Sequence, residues 1–191
     1  MTRHARSQAG SAGTRAHHPV DQAQGLRQMF VSRVLRFIPV VANGRSGCGG
    51  LVLERLCAAY AGFGLHTLVV DASEQARAPS ELVAFDLAEG IEPLSDQISY
   101  MAARGLPLRH VDARGSCASL LPALADASPR SDVVLVHASA SEIVRLFGQP
   151  ARGMALRPLI FTNDMAEGLT DAYAAVKILS QRGGWMSYDL L

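Results

Sequence analysis

The sequence predicts an α/β fold, a mainly parallel sheet with helices on both faces, and three observations carry that prediction. Short apolar runs alternate with stretches of helical spacing from Phe37 onward, the pattern of a parallel sheet covered on both sides. The first run (Phe37, Ile38, Val40, Val41) passes through a turn holding Gly44, Gly47, Gly49 and Gly50 into a helically spaced segment (Leu53, Leu56, Cys57, Tyr60). Such a strand–turn–helix unit brings backbone N–H groups close to a phosphate, with a helix N-terminus behind them. Finally, 191 residues at 49% hydrophobic content suit one domain with a sizeable core.

Composition narrows the function classes. A formal net charge of +1 gives no reason to expect nucleic acid as a partner. No apolar run approaches the roughly 20 residues of a membrane span. The N-terminus lacks the apolar core of a signal peptide, so a cytoplasmic protein is expected. Cys48, Cys57 and Cys117 are too widely spaced for a CxxC site, and read as small buried or half-buried residues. Lys177 is the only lysine.

Taken in order, residues 1–19 are rich in Ser, Ala, Gly, Arg and His without apolar period, which predicts a disordered tail. His4, His17 and His18 lie there, where a polar tail offers a metal no fixed geometry. Residues 20–36 form the next segment. Asp21 is a good N-cap, a helix can run from Gln22 to about Leu35, and Ala23, Leu26, Met29, Phe30 and Val34 share one face. The α/β domain is assigned to residues 37–191. Its strands are expected at Phe37–Ala42, His66–Asp71, Leu108–Asp112, Asp132–His137 and Leu159–Thr162. Helices are expected at Gly50–Gly62, Pro79–Ala88, Ser95–Arg104, Ala118–Ala125, Ser141–Phe147 and Ala166–Gln181.

Ligands of such sheets bind at the carboxyl ends of the strands. The segments to inspect are therefore Asn43–Gly50, Asp71–Ser73, Asp112–Ser116, His137–Ser139 and Thr162–Asp164. A working phosphate loop needs a lysine after its last glycines and a Ser or Thr hydroxyl for Mg²⁺. Gly50 and Leu51 stand at those places. Arg45 could meet a phosphate as a bidentate donor, and the glycine amides remain. The candidate site is Gly44, Arg45, Ser46, Gly47, Cys48, Gly49, Gly50 and Asp71, with weak ATP binding at most, no role for Mg²⁺ and no catalytic residue; a weak residual ATPase is the alternative. His137 is read as a hydrogen-bonded residue at a strand tip rather than a catalyst, since nothing nearby in sequence completes a base–nucleophile pair.

Four stretches resemble the MinD/ParA class of P-loop ATPases, and within it the FlhG (FleN) family that regulates flagellar number and placement. They are DQAQGLR (Asp21–Arg27), NGRSGCGGL (Asn43–Leu51), DAS (Asp71–Ser73) and TNDMAEGLTDAYAAVK (Thr162–Lys177). Order and spacing agree with the family over about Asp21–Ser180. The departures are equally specific: Arg45 replaces the signature lysine, Gly50 the phosphate lysine, Leu51 the threonine, Ser73 the second aspartate of the second tip and His137 the aspartate of the fourth. The family's terminal amphipathic membrane helix has no counterpart in GGWMSYDLL, so stable membrane binding is not expected. The resemblance implies a P-loop-type domain, partner binding through Asp21, Gln22, Ala23, Leu26 and Arg27, and stimulation of the flagellar GTPase FlhF. A flagellar transcription regulator and C-ring proteins are the other partners it implies, and nothing in the sequence chooses between them or sets an oligomeric state.

A second resemblance is to short-chain dehydrogenases. Gly44, Gly47 and Gly49 form GxxGxG, Asp71 stands where a ribose-binding acid would, and Tyr173 with Lys177 forms YxxxK. It implies an NAD(P) enzyme but leaves DQAQGLR unexplained. The stretch from His137 to Tyr173 is also short for the helix and serine-bearing strand of that family.

Overall fold

The computed structural model describes residues 35–44, 49–148 and 156–191. The elements are β1 (Arg36–Val41), α1 (Gly49–Gly62), β2 (Thr67–Asp71), β3 (Ile91–Pro93), β4 (Ile98–Ala102), α2 (Leu106–Arg109), α3 (Leu120–Ala127), β5 (Val133–Ala138), α4 (Ala140–Phe147), β6 (Leu159–Ile160), α5 (Ala166–Gly183) and β7 (Asp189–Leu190). The seven strands form one sheet in the order β3-β4-β2-β5-β1-β6-β7. All neighbours are parallel except β3 and β4.

β5 reads VVLVHA and is buried along its whole length. It lies between β1 and β2, so β-branched side chains pack on both faces. The two faces carry separate cores. Val40, Val69, Val133 and Leu135 meet Leu53 and Cys57 of α1 on one side. Val41, Leu68, Val70, Val134 and Val136 face the other side, against α2, α3, α4 and α5. Cys57 and Cys117 are therefore free, buried thiols on opposite faces, and burial pushes both above the ordinary thiol value.

Local chemistry sets the element ends. Ser139 and Glu142 form a capping box at the start of α4: the Ser139 hydroxyl accepts from the Glu142 N–H at 3.3 Å, and the Glu142 carboxylate accepts from the Ser139 N–H at 3.2 Å. α5 ends at Gly184, whose φ of 67° lets its N–H turn back to the Leu179 and Ser180 carbonyls. Trp185 then folds under the helix and meets Phe147 edge-on at 6.5 Å.

Several expectations are corrected. Leu108–Asp112 is not a strand. Gly105, at φ 75°, turns the chain into the short helix α2, which has proline in its first turn and ends at Arg109. Ser95–Arg104 is not a helix but contains β4. Ile98, Met101 and Ala102 fit a helical spacing, yet Ile98 and Tyr100 alternate with Ser99 and Met101 and pack on β2. Pro79–Ala88 holds a single 3₁₀ turn, Glu81–Ala84, with a second, Leu87–Gly90, running past its end. β3 and β7 were not expected. Arg36, assigned to the N-terminal helix, opens β1 opposite Val133. Leu35, the expected end of that helix, is described and is not helical, while residues 20–34 and the tail before them lie outside the described residues.

Candidate functional site at the carboxyl ends of the strands

Strand register assembles the site. In a parallel sheet, residues in register on neighbouring strands face the same side. Asp71 of β2 is in register with His137 of β5, and His137 with Val40 of β1. Each polar residue is the next α1-facing position after an apolar one: Val69 then Asp71, Leu135 then His137, Ile98 then Tyr100. The apolar members anchor α1, and the polar members come together where the strands end.

There they make a connected set. His137 Nδ1 lies 2.9 Å from Asp71 Oδ1. The Ser73 N–H donates to the same oxygen at 3.1 Å, and the Tyr100 hydroxyl donates to Oδ2 at 3.4 Å. Burial alone would raise the Asp71 carboxyl, but hydrogen bonds from His137 and Ser73 and the imidazole charge outweigh it and hold the group below its usual value. Tyr100 is pushed up, by burial first and then by the Asp71 charge. The far nitrogen of the imidazole, Nε2, is buried and has no hydrogen-bond partner. It points toward the start of α1: a Cβ placed on Gly49 would sit 3.8 Å from it.

α1 presents its N-terminal end to the same space. Its first-turn amides have no intrahelical partners, and its first turn carries no acidic residue to occupy them. Asn43 donates from Nδ2 to the Phe161 carbonyl at 2.8 Å and so ties the end of β1 to the end of β6. Gly44, Gly49, Gly50, Asp71, Tyr100 and His137 all border one cavity of about 310 Å³. Gly44, Gly49, Gly50 and Asp71 are thus brought together as site candidates, whereas Arg45, Ser46, Gly47 and Cys48 lie outside the described residues, as do Asp21, Gln22, Ala23, Leu26 and Arg27.

Sequence reasoning undervalued His137 and missed Tyr100. The signal was the period-two run Val133, Leu135, His137 beside Val69, Asp71, which puts both polar residues on one face once the strands are neighbours. Asp112–Ser116, expected at a strand tip, is instead a loop in which Asp112 Oδ1 accepts from the N–H groups of Arg114 and Ser116 at 2.8 and 2.9 Å.

Among the described residues, the positions at which a phosphate loop carries its lysine and its magnesium-binding hydroxyl offer neither group. Gly50 has no side chain, Leu51 is apolar and 56% exposed, and both Asp71 oxygens already accept hydrogen bonds. At the end of β5, a metal-linked water would meet an imidazole rather than a carboxylate.

The seven-strand sheet with β5 between β1 and β2 has the fold of the ParA/MinD-type P-loop ATPases. Three solved structures are similar. A ParA family ATPase from Chlorobium tepidum TLS is 15% identical, with 77% of this chain and 67% of that chain covered and a TM-score of 0.50. Cobyrinic acid a,c-diamide synthase from Mycobacterium smegmatis is 16% identical, with 82% and 71% covered and a TM-score of 0.54. The kinase domain of the Escherichia coli tyrosine kinase ETK is 13% identical, with 88% and 71% covered and a TM-score of 0.52. No family model and no curated protein matches the sequence.

The strand order also weighs against the dehydrogenase reading. A dinucleotide fold sets its second strand beside its first, so that the acid at the tip of the second reaches the ribose. Here β5 separates them, which adds about 5 Å to that distance. Tyr173 is 71% exposed on α5, and the cavity behind the glycine turn is bordered by neither it nor Lys177.

Proposed function

We propose that this chain works by binding rather than by turnover, as an FlhG-like regulator of flagellar number and placement whose nucleotide site has lost its hydrolytic parts. One observation carries the reading: at the phosphate end of a ParA-type fold stand Gly50, Leu51 and a His137 already hydrogen-bonded to Asp71. The order and spacing of DQAQGLR and of the Thr162–Lys177 motif support the flagellar assignment. In this reading Asp21, Gln22, Ala23, Leu26 and Arg27 dock on FlhF and stimulate its GTPase. A flagellar transcription regulator or a C-ring protein is the alternative partner. The protein works in the cytoplasm without stable membrane attachment.

The test uses the full-length protein. ATP turnover should not exceed that of buffer, with or without Mg²⁺. Addition to FlhF from the same organism should raise GTP hydrolysis with half-effect near micromolar, about 8 kcal/mol of binding. Gln22→Ala should lower the stimulation, and Leu26→Ala should weaken binding itself by removing an apolar anchor. Unchanged GTP turnover well above micromolar concentration, or Mg²⁺-dependent ATP hydrolysis lost in Asp71→Ala, would overturn the proposal.

A further inference from the structure

We propose that a second copy of this chain docks on the face between the 3₁₀ turns and α2, with each Phe85 seated in the other copy's cavity. This goes beyond the partner reading and does not depend on it, because its test contains no FlhF.

The apolar part of the face follows from turn geometry. A 3₁₀ helix has three residues per turn, so residues three apart stack on one side. In Glu81–Ala84 the buried Val83 anchors the turn in the core, which leaves Leu82 and Phe85 outside, 59% and 91% exposed. The Phe85 N–H donates to the Leu82 carbonyl at 2.9 Å and holds the pair in place. The next turn, Leu87–Gly90, presses on Val83 through Gly90, where a Cβ would sit 2.6 Å from Val83 Cγ2. Phe85 therefore stands on a packed base. Beside it opens a cavity of about 420 Å³, bordered by Val83, Phe85, Leu87, Leu106, Arg109 and Ala123. On the α2 side of that cavity Leu108 is exposed, and so is Val111 just beyond the helix.

Charge identifies the occupant. The bank at residues 79–90 carries Glu81, Asp86 and Glu89 and no basic residue. The opposite bank, residues 104–114, carries Arg104, Arg109 and Arg114, and its one acid, Asp112, accepts from N–H groups of its own loop. The three acids of the first bank and the three arginines of the second are all exposed, and none of them is in an ion pair. A partner of one charge would be attracted by one bank and repelled by the other. A second copy, turned about a two-fold axis along the cavity, lays each acidic bank on the other's arginines. The same rotation sets each Phe85 facing the other copy's cavity.

Size and composition agree with this occupant. Together the two banks hold about as many residues as one side of a stable interface uses, roughly 20–30. An aromatic residue and arginines at the centre are the types enriched in such interfaces. No described residue borders both this cavity and the one at the start of α1, so the two can be tested apart.

The experiment is sedimentation equilibrium of the full-length protein without nucleotide. The wild type should pass from monomer to dimer over the micromolar range, and added salt should shift it toward monomer by screening the exposed charges. Phe85→Asp, checked by circular dichroism for an intact fold, should stay monomeric. Two charge-reversed chains make the occupant explicit. Glu81→Arg with Glu89→Arg gives two net basic banks, and Arg104→Glu with Arg109→Glu gives two net acidic ones. Each chain alone should stay monomeric. Mixed in equal amounts they should form a one-to-one dimer, because every bank then meets its opposite. A wild type that stays monomeric to high micromolar concentration overturns the proposal. So does a dimer that survives Phe85→Asp unchanged, or a mixture of the two reversed chains that fails to associate.

Discussion

Asp71 does two jobs at once. Its carboxylate completes the fold by meeting His137, Ser73 and Tyr100, and it sets which nitrogen of His137 is left facing the cavity. The first job has a pH signature. Its carboxyl is held below the ordinary aspartate value, so the stability it contributes is fully present above that value and is lost as pH falls through the lower folded-state value. Urea unfolding measured at pH 5, 4 and 3 should therefore show a steeper loss of stability for the wild type than for Asp71→Asn, with the gap opening below about pH 4. At this scale half of the site was readable. Asp71 stood at an expected strand tip and was assigned to the site, whereas His137 was set aside because sequence proximity offered it no partner. Its partner is 66 residues away and arrives through strand register, which one sequence does not display.

The helix expected at Ser141–Phe147 is α4, and its start at Ala140 is fixed by a local signal that the sequence reading did not use. Ser139 through Glu142 reads S-x-x-E and becomes a capping box at the N-terminus of α4. Ser139→Ala should cost about 1 kcal/mol, visible as a lower denaturation midpoint with an unchanged slope against urea. An unaffected midpoint would mean that burial of Ile143 and Leu146 alone holds this helix. At Ser95–Arg104 no local signal decided. Ile98, Met101 and Ala102 satisfy a helical period as well as Ile98, Tyr100 and Ala102 satisfy a strand. The decision came from β2, whose free edge takes β4 as a parallel neighbour. At Leu108–Asp112 the decisive feature was instead the left-handed turn at Gly105 just upstream.

At the scale of the molecule, alternation of strand and helix disclosed a parallel sheet but not the order of its strands. That order matters most to function. With β5 between β1 and β2, the polar ends of β2 and β5 meet under the N-terminus of α1. In the dinucleotide order they would not. Composition and periodicity are the same in either case, so the distinction belongs to long-range packing.

The sheet also divides the interior into two compartments of unequal size, each with its own thiol. Among the described residues, seven buried apolar residues, Cys57 among them, cluster on the α1 side, against twenty-two on the face that holds Cys117. Because both thiols are shielded and raised above their ordinary pKa by burial, a disulfide reagent can reach them only when the chain breathes. The protein thus carries two built-in clocks, one per compartment. In a Cys48→Ser background under native conditions, Cys57 should be consumed at least several times faster than Cys117, because lifting one helix uncovers it. A ligand seated on the first turn of α1 should slow the Cys57 clock and leave that of Cys117 running at its own pace. Equal rates at the two thiols would mean that the halves open together.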